Sequence, residues 1–226
     1  MEILQTLTDW ALHLDKHLAI LISQYGALTY AILFFVIFAE TGFVVTPFLP
    51  GDSLLFAAGA IAANEDANLN VHLLAALLII AAISGNQVNF AIGRWVGPHI
   101  LEKPNRFIKK KHLERTQKFY EKHGGKTIIY SRFAPIIRTF APFVAGIGKM
   151  DSARFTLFNV VGGVLWITSF LYLGYFFGNR PAVKENFGVV VIAIVVVSLL
   201  PAVVEFIRMR AAAKAQMKEE EEAARK

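Results

Sequence analysis

The chain has 226 residues, of which 55% are hydrophobic and 18% are charged, and it contains no cysteine. This composition is typical of a membrane protein with several spans, and the length leaves no room for a separate soluble catalytic domain. The absence of cysteine excludes disulfides, thiolate metal sites and a cysteine nucleophile. The net charge of +6 is concentrated in two segments, so it bears on membrane topology before it bears on nucleic acid.

Residues 1–25 are predicted to form an amphipathic helix at the membrane interface. Apolar residues recur at helical spacing from Ile3 to Leu18, and Trp10 is a suitable interfacial anchor. The side of the membrane on which this helix lies stays open. We expect residues 26–207 to form one membrane domain and residues 208–226 to form a charged tail.

The first long apolar stretch, residues 30–63, contains a break at Pro47, Pro50 and Gly51, and Glu40 and Asp52 flank this break. An apolar segment that enters, breaks and turns back forms a re-entrant hairpin, whose broken backbone needs cover from protein or from a water-filled cavity. Because an intramembrane carboxylate costs about 2.5–3.5 kcal/mol, the two acids indicate a functional site. A second interpretation of Asp52 is that it caps the following short helix.

A full span is predicted from Val71 to Ile92, ending in a segment that runs from Gly93 to Gly97. The second half of the span carries polar side chains that should face the protein interior, namely Ser84, Asn86, Gln87 and Asn89. Two interpretations of this set stay open, because it is suited both to lining a path for a polar headgroup and to holding helices together.

The distribution of lysine and arginine predicts the orientation of the chain. Neither residue occurs between Lys16 and Arg94, whereas residues 103–126 are rich in both. The positive-inside rule therefore places residues 103–126 and the C-terminal tail in the cytoplasm, and residues 64–70 outside. We expect the basic loop to be a solvated helix that contacts anionic lipid headgroups, with no role in nucleic-acid binding.

The second broken apolar stretch, residues 127–148, carries Arg132 and Arg138. The predicted hinge residues of this stretch are Pro135, Pro142 and Gly146. Residues 157–178 and 187–204 are predicted spans joined by a loop at 179–186. With a cytoplasmic tail, both ends of residues 127–148 lie on the cytoplasmic side. The stretch is therefore predicted to be a re-entrant hairpin that enters from the face opposite to the first.

A weak internal repeat relates the two stretches. Pro47–Gly51 and Pro142–Gly146 share the pattern P-F-x-x-G, and later spans end in G-x-x-x-G at Gly93–Gly97 and Gly174–Gly178. The sequence thus predicts an all-α polytopic membrane protein with two oppositely oriented re-entrant helical hairpins, about three full transmembrane helices and an inverted-repeat architecture. The G-x-x-x-G pattern also indicates close helix packing, either within one chain or in a homo-oligomer.

If the hairpin tips meet near the middle of the bilayer, the acids Glu40 and Asp52 face Arg132 and Arg138. Two arginines in a buried pocket suit a phosphate headgroup, because a guanidinium stays charged and binds phosphate bidentately. Burial disfavours the charged form of a carboxylate, so Glu40 and Asp52 are candidate proton carriers. The alternative is a purely structural network of four charges.

Enzyme functions find little support in the sequence. Ser131-Arg132 resembles part of a lipid phosphatase motif, but that chemistry needs two histidines and no histidine follows Arg132. No group of His, Asp and Glu has metal-ligand spacing, and no glycine-rich nucleotide loop occurs, so neither a metal nor a cofactor is predicted. Two other functions stay open: a proton-coupled cation or drug antiporter that supports membrane homeostasis, and an assembly factor whose charges serve only folding.

Three blocks of the sequence resemble the bacterial DedA membrane-protein family, which belongs to a superfamily that includes eukaryotic lipid scramblases. The blocks are ETGFVVTPFLPGDS, SGNQVNFAIGRWVG and RFAPIIRTFAPFVAGIGKMDSARFTLFNVVGGVLW, and the resemblance covers roughly residues 28–178. It implies recycling of undecaprenyl phosphate from the outer to the inner leaflet of the bacterial inner membrane, dependent on the proton motive force. It also implies that Glu40, Asp52, Arg132 and Arg138 occupy the essential positions. SGNQVNF lacks the acidic residue of many members, which argues against a proton role for that helix.

Overall fold

A computed structural model of the protein describes residues 25–43, 51–64, 67, 69–102, 125–194 and 196–197, and this part of the chain contains helices and no strand. The helices are α1 (Leu28–Gly42), α2 (Gly51–Ala62), α3 (Val71–Glu102), α4 (Lys126–Ser131), α5 (Pro135–Ile147), α6 (Ser152–Phe177) and α7 (Pro181–Glu185). Residues 187–194 are also helical. The predicted N-terminal helix, the hinge prolines Pro47 and Pro50, most of the basic loop and the C-terminal tail lie outside the described residues.

Two helices are long and apolar enough to cross a membrane, Val71–Gly97 within α3 and Ser152–Phe177, which is α6. Leu28–Gly42, Gly51–Ala62 and Ile137–Ile147 are shorter apolar helices. Of the three predicted full spans, two therefore correspond to long helices. The third, residues 187–204, is helical over 187–194 and at 196–197, and its remaining residues lie outside the described part.

The ends of the long helices differ from the predicted ends. α3 continues to Glu102, beyond the predicted end at Gly93–Gly97, whereas its segment that is suited to crossing a membrane ends at Gly97. α6 begins at Ser152 rather than at residue 157, because Asp151 caps it by accepting a hydrogen bond from the Arg154 backbone N–H at 2.8 Å. The predicted loop at residues 179–186 contains α7, whose first residue, Pro181, suits the first turn of a helix.

The second broken stretch breaks once within its described length, between α4 and α5. Ala134 is extended, as expected for a residue before proline, and Pro135 then begins α5. The break predicted at Pro142 is wrong, because α5 runs through this residue. Gly146 also lies inside α5 and does not act as a hinge between helices.

Glycines create a close contact between α2 and α6. A Cβ on Gly59 of α2 would overlap the carbonyl group of Leu171 in α6, and a Cβ on Gly174 of α6 would overlap the carbonyl group of Phe56 in α2. Each helix thus uses a glycine to admit the backbone of the other, as small residues do in membrane helix pairs.

The contact between α3 and α5 is made in the same way. A Cβ on Gly146 of α5 would overlap the carbonyl group of Phe90 in α3, and a Cβ on Gly93 of α3 would overlap the carbonyl group of Phe143 in α5. This close packing explains why α3 does not end at Gly93, since contact with α5 offsets the low helix propensity of glycine.

The two glycine contacts correspond residue by residue. One constant shift along the chain relates Phe56 and Gly59 to Phe143 and Gly146, so that F-A-A-G in α2 is the counterpart of F-V-A-G in α5. The P-F-x-x-G repeat predicted from the sequence pairs Gly146 with Gly51 instead. That register is not the one that the helix contacts follow.

The described helices bury a hydrophobic core together with many polar side chains, and they also expose large apolar side chains. Phe35, Leu157 and Phe176 are 65%, 61% and 64% exposed. The buried polar and charged residues are Thr29, Glu40, Thr41, Asp52, Ser53, Asn86, Asn89, Ser131, Arg132, Arg138, Thr139 and Asn159. This arrangement suits a lipid environment, where ionisable side chains face the bundle interior.

Candidate functional site

Arg138 of α5 joins the two broken stretches through buried ion pairs. Its Nη1 donates a hydrogen bond to Asp52 Oδ1 at 2.6 Å, and its Nη2 donates to the carboxylate of Glu40. Glu40 lies in the last turn of α1, and Asp52 is the second residue of α2. One guanidinium therefore holds a carboxylate from each side of the first break.

Trp166, in the middle of α6, completes this cluster. Its indole Nε1 donates to Asp52 Oδ1 at 2.8 Å, and its ring centroid lies 4.3 Å from the Cζ atom of Arg138. The side chain is fully buried, so the indole N–H needs a partner inside the protein and finds it in Asp52. A site role for Trp166 was not predicted from the sequence. Its position in the middle of an apolar span could have indicated such a role, because tryptophans in membrane proteins are enriched at the two interfaces.

Glu40 also depends on the start of α2. A Cβ on Gly51, the first residue of α2, would overlap the Glu40 carboxylate. Gly51, which was predicted to be a hinge residue, thus also permits the close approach of Glu40 to α2. Asp52 was also interpreted as a cap of the short helix that follows it. This interpretation is incomplete, because Asp52 lies in the first turn of α2 and its carboxylate also binds Arg138 and Trp166.

Arg132 lies directly after α4, at the break before α5, and has different surroundings. Its Nη2 donates to Asn159 Oδ1 at 2.5 Å and to the carbonyl oxygen of Ala82 at 3.3 Å. The side chain is fully buried, yet it forms no ion pair with any residue that the structure describes. Its Nε and Nη1 atoms have no hydrogen-bond partner among the described residues. Of the two arginines predicted to face the carboxylates, Arg138 contacts them, and Arg132 forms no ion pair with them in the described part of the chain.

Two members of the polar set on α3 point into the interior. Asn89 donates from Nδ2 to the carbonyl oxygens of Thr41 at 3.2 Å and Thr139 at 2.9 Å, which ties α1 and α5 to α3. Asn86 is 1% exposed, and its Oδ1 has no hydrogen-bond partner. Asn89 therefore holds helices together beside the charged cluster, and Asn86 keeps an acceptor there.

The other two members are only partly buried. The Ser84 hydroxyl donates to the carbonyl oxygen of Ile80 in its own helix at 2.7 Å. Gln87 accepts a hydrogen bond from the Thr156 hydroxyl of α6 at 3.3 Å. The four polar residues that were predicted to act together therefore have different environments.

Four of the seven buried polar atoms that have no hydrogen-bond partner among the described residues belong to the charged side chains of Glu40, Asp52 and Arg132. Among the described residues the seven atoms are Thr29 Oγ1, Glu40 Oε2, Asp52 Oδ2, Asn86 Oδ1, Asn89 Oδ1, Arg132 Nε and Arg132 Nη1. Most buried polar groups in proteins are hydrogen-bonded to protein or water, so such a group of atoms is suited to a polar ligand or to water. No three His, Asp or Glu side chains in the described ranges lie close enough together to hold a metal ion.

The apolar exterior, the two long helices and the buried charges define a helical membrane protein with an ionic site in its interior. The family model of the VTT domain matches residues 49–176. The chain is 54% identical to "Protein DedA" of Escherichia coli (strain K12) over 217 residues, which is 95% of this chain and 99% of that protein. The chain therefore belongs to the DedA family of VTT-domain membrane proteins.

More distant relatives are also membrane proteins by name. The chain is 42% identical over 175 residues to "Uncharacterized membrane protein MT0380" of Mycobacterium tuberculosis (strain CDC 1551 / Oshkosh), which is 77% of either chain. It is 33% identical over 153 residues to "Inner membrane protein YqjA" of Escherichia coli (strain K12), which is 67% of this chain and 69% of that protein. No solved structure matches the chain.

Proposed function

We propose that this protein moves a lipid phosphate, undecaprenyl phosphate or a related polyprenyl or phospholipid phosphate, from the outer to the inner leaflet of the bacterial inner membrane, coupled to the proton motive force. The observation that carries the proposal is Arg132, a fully buried guanidinium without an anionic partner among the described residues. A cation of this kind is expensive to bury and is suited to an anion that arrives with the substrate.

Charge balance connects the anion to the proton. With all four groups ionised, Arg132 and Arg138 balance Glu40 and Asp52. A phosphate that binds at Arg132 adds at least one negative charge to this buried region. A proton on Glu40 or Asp52 restores the balance, and it also loosens the hold of the carboxylates on Arg138. Arg138 is then available as a second phosphate ligand, so binding of lipid phosphate favours uptake of a proton.

The membrane potential gives the coupling a direction. Moving one negative charge inward against an inside-negative potential costs about 2.3 kcal/mol per 100 mV. A proton that enters with the lipid phosphate removes this cost for one charge. The inward direction and undecaprenyl phosphate itself come from the resemblance to the DedA family, and the partners are therefore a lipid phosphate, protons and the surrounding lipids.

The architecture in this proposal consists of two re-entrant hairpins related as inverted repeats. The matching glycine contacts of α2 with α6 and of α5 with α3 support it, because each short helix packs on a long helix in the same register. The charged side chains of the two hairpins meet at Arg138. Asn86, with its unpartnered Oδ1, is the part of the α3 polar set best suited to a headgroup path.

A proton-coupled cation antiporter is the alternative that uses the same residues. A cation would bind Glu40 and Asp52, which already share Arg138 in the structure. The antiporter therefore has to break two buried ion pairs to admit its substrate, whereas a phosphate finds Arg132 without an ionic partner. The geometry favours the lipid phosphate.

Proteoliposomes that contain a short-chain polyprenyl phosphate test the proposal. An impermeant reagent reports the phosphate in the outer leaflet, with and without an imposed pH gradient. We expect protein-dependent flipping that is lost in Arg132→Met and loses its response to the pH gradient in Glu40→Gln. The exposed Arg154 is a suitable site for a control, and Arg154→Met should flip at the wild-type rate.

The opposite outcome is equally clear. If flipping is absent and added Na⁺ or K⁺ dissipates the pH gradient, the protein is an antiporter and the proposal is wrong. If neither activity occurs while Glu40 and Arg132 variants lose only folded protein, the charges serve assembly.

A further inference from the structure

Two hydrogen-bond donors converge on one oxygen of Asp52. Arg138 Nη1 donates to Oδ1 at 2.6 Å, and the Trp166 indole donates to the same atom at 2.8 Å. The other oxygen, Oδ2, has no hydrogen-bond partner and is buried. Among the described residues, Asp52 is therefore held through Oδ1 alone.

Both arginines lie near the ring of Trp166. The Cζ atom of Arg138 is 4.3 Å from the centroid of the ring, and that of Arg132 is 5.9 Å away. Both guanidinium groups fall within the range of a cation–π interaction, which reaches about 6 Å. Among the described residues, Arg138 from α5 pairs with Asp52 and with Glu40 from α1, and Arg132 from the break before α5 lies near the Trp166 ring.

We propose that Trp166 is a positioning residue that commits Asp52 to Arg138 and thereby keeps Arg132 without a carboxylate partner. The indole N–H fixes Oδ1 beside Arg138, and the ring lies within cation–π range of both arginines. Without the indole N–H, Asp52 is free to pair with Arg132 and to compete there with the phosphate. The expected effect of Trp166 on transport rests on the proposed function. The hydrogen bond between Trp166 and Asp52 does not depend on any substrate.

Trp166→Phe removes the N–H and keeps an aromatic ring beside both arginines. In the proteoliposome assay we expect the half-saturating concentration of lipid phosphate to rise by about ten-fold, the effect of losing one hydrogen bond to a charged group. The maximal flipping rate should stay within about two-fold, because the phosphate ligand Arg132 is intact. Trp95→Phe is the matched control, since Trp95 is 72% exposed, and it should leave both parameters unchanged.

A lower maximal rate at an unchanged half-saturating concentration would overturn the proposal, because it would show that Trp166 does not affect the availability of Arg132. Unchanged values of both parameters in Trp166→Phe would do the same.

Indole NMR tests the contact without lipid phosphate and without transport. The chain has three tryptophans, so the indole N–H signal that disappears in Trp166→Phe belongs to Trp166. We expect Asp52→Asn to shift this signal, because the acceptor loses its charge, and to leave the Trp95 signal in place. No shift would contradict the proposed role of Trp166 even if the protein flips lipid phosphate. A shift in a protein that flips nothing would support the positioning role and reject the proposed function.

Discussion

Arg132 and Arg138 are both buried and both lie near Trp166, yet their polar partners among the described residues differ. Arg138 binds two carboxylates and lies over a tryptophan ring. Arg132 binds the side-chain oxygen of Asn159 and backbone carbonyl groups, and two of its nitrogen atoms have no partner. Both side chains belong to the same broken stretch. The difference separates an arginine that stabilises the fold from one that is available to a ligand.

The largest expected effect is on folding, from Arg138→Met. This substitution leaves Glu40 and Asp52 buried next to each other without a cation. Breaking a buried ion pair by removing one partner costs about 3–5 kcal/mol of unfolding free energy. We expect thermal or denaturant unfolding in detergent to show a loss of this size. A stability close to that of the wild type would contradict the view that Arg138 holds the two broken stretches together.

The same substitution at Arg132 should have the opposite profile. Arg132→Met removes a buried charge that has no counter-ion among the described residues, so we expect the unfolding free energy to change by less than about 1 kcal/mol. Binding of lipid phosphate should weaken by about a hundred-fold, because a charged group that contacts the phosphate directly is lost. The unfolding free energy and the affinity for lipid phosphate can both be measured on the same preparation in detergent. Equal losses of stability in the two Met variants would remove the distinction between the arginines.

Asn159→Asp tests the difference between the two arginines by giving Arg132 a carboxylate partner like those of Arg138. Asn159 Oδ1 already accepts from Arg132 Nη2 at 2.5 Å, so the new carboxylate is in place without movement of α6. We expect lipid-phosphate binding to weaken by about ten-fold at unchanged or higher stability, since the ion pair now competes with the substrate. Asn159→Leu is the control, since it removes the acceptor without adding a charge. If Asn159→Asp binds lipid phosphate as the wild type does, Arg132 is not the phosphate ligand.

The sequence was sufficient to predict the helical membrane class and the residues with buried charge. Charge-free apolar runs and prolines are local features, and an ionisable residue inside such a run stands out against its neighbours. The pairing of Glu40 and Asp52 with only one arginine was not predictable in the same way. It depends on how α5 is rotated after the break at residues 132–134, and no local pattern records that rotation.

The contacts between helices could not be predicted from local sequence patterns either. Gly93 and Gly97 were interpreted as the end of a span because glycine disfavours a helix, yet the helix continues where Gly93 packs on α5. The counterpart of Gly146 is Gly59, and this follows from which carbonyl group each glycine touches. Trp166 likewise acquires its significance only from the partners that the fold brings to it.

The smallest effects should come from placing a single methyl group beside each arginine site. A Cβ on Gly51 would overlap the Glu40 carboxylate, whereas a Cβ on Gly162 would lie 3.0 Å from Arg132 Cδ. We expect Gly51→Ala to destabilise the protein by about 1 kcal/mol, because the Glu40 carboxylate must shift within its ion pair with Arg138 to make room for the methyl group. Gly162→Ala should change stability by less, since the Arg132 side chain has no ionic partner among the described residues to hold it and can shift by the few tenths of an ångström required. Unfolding free energies of the two variants measure the difference, and a larger loss in Gly162→Ala would mean that Arg132 is held as firmly as Arg138.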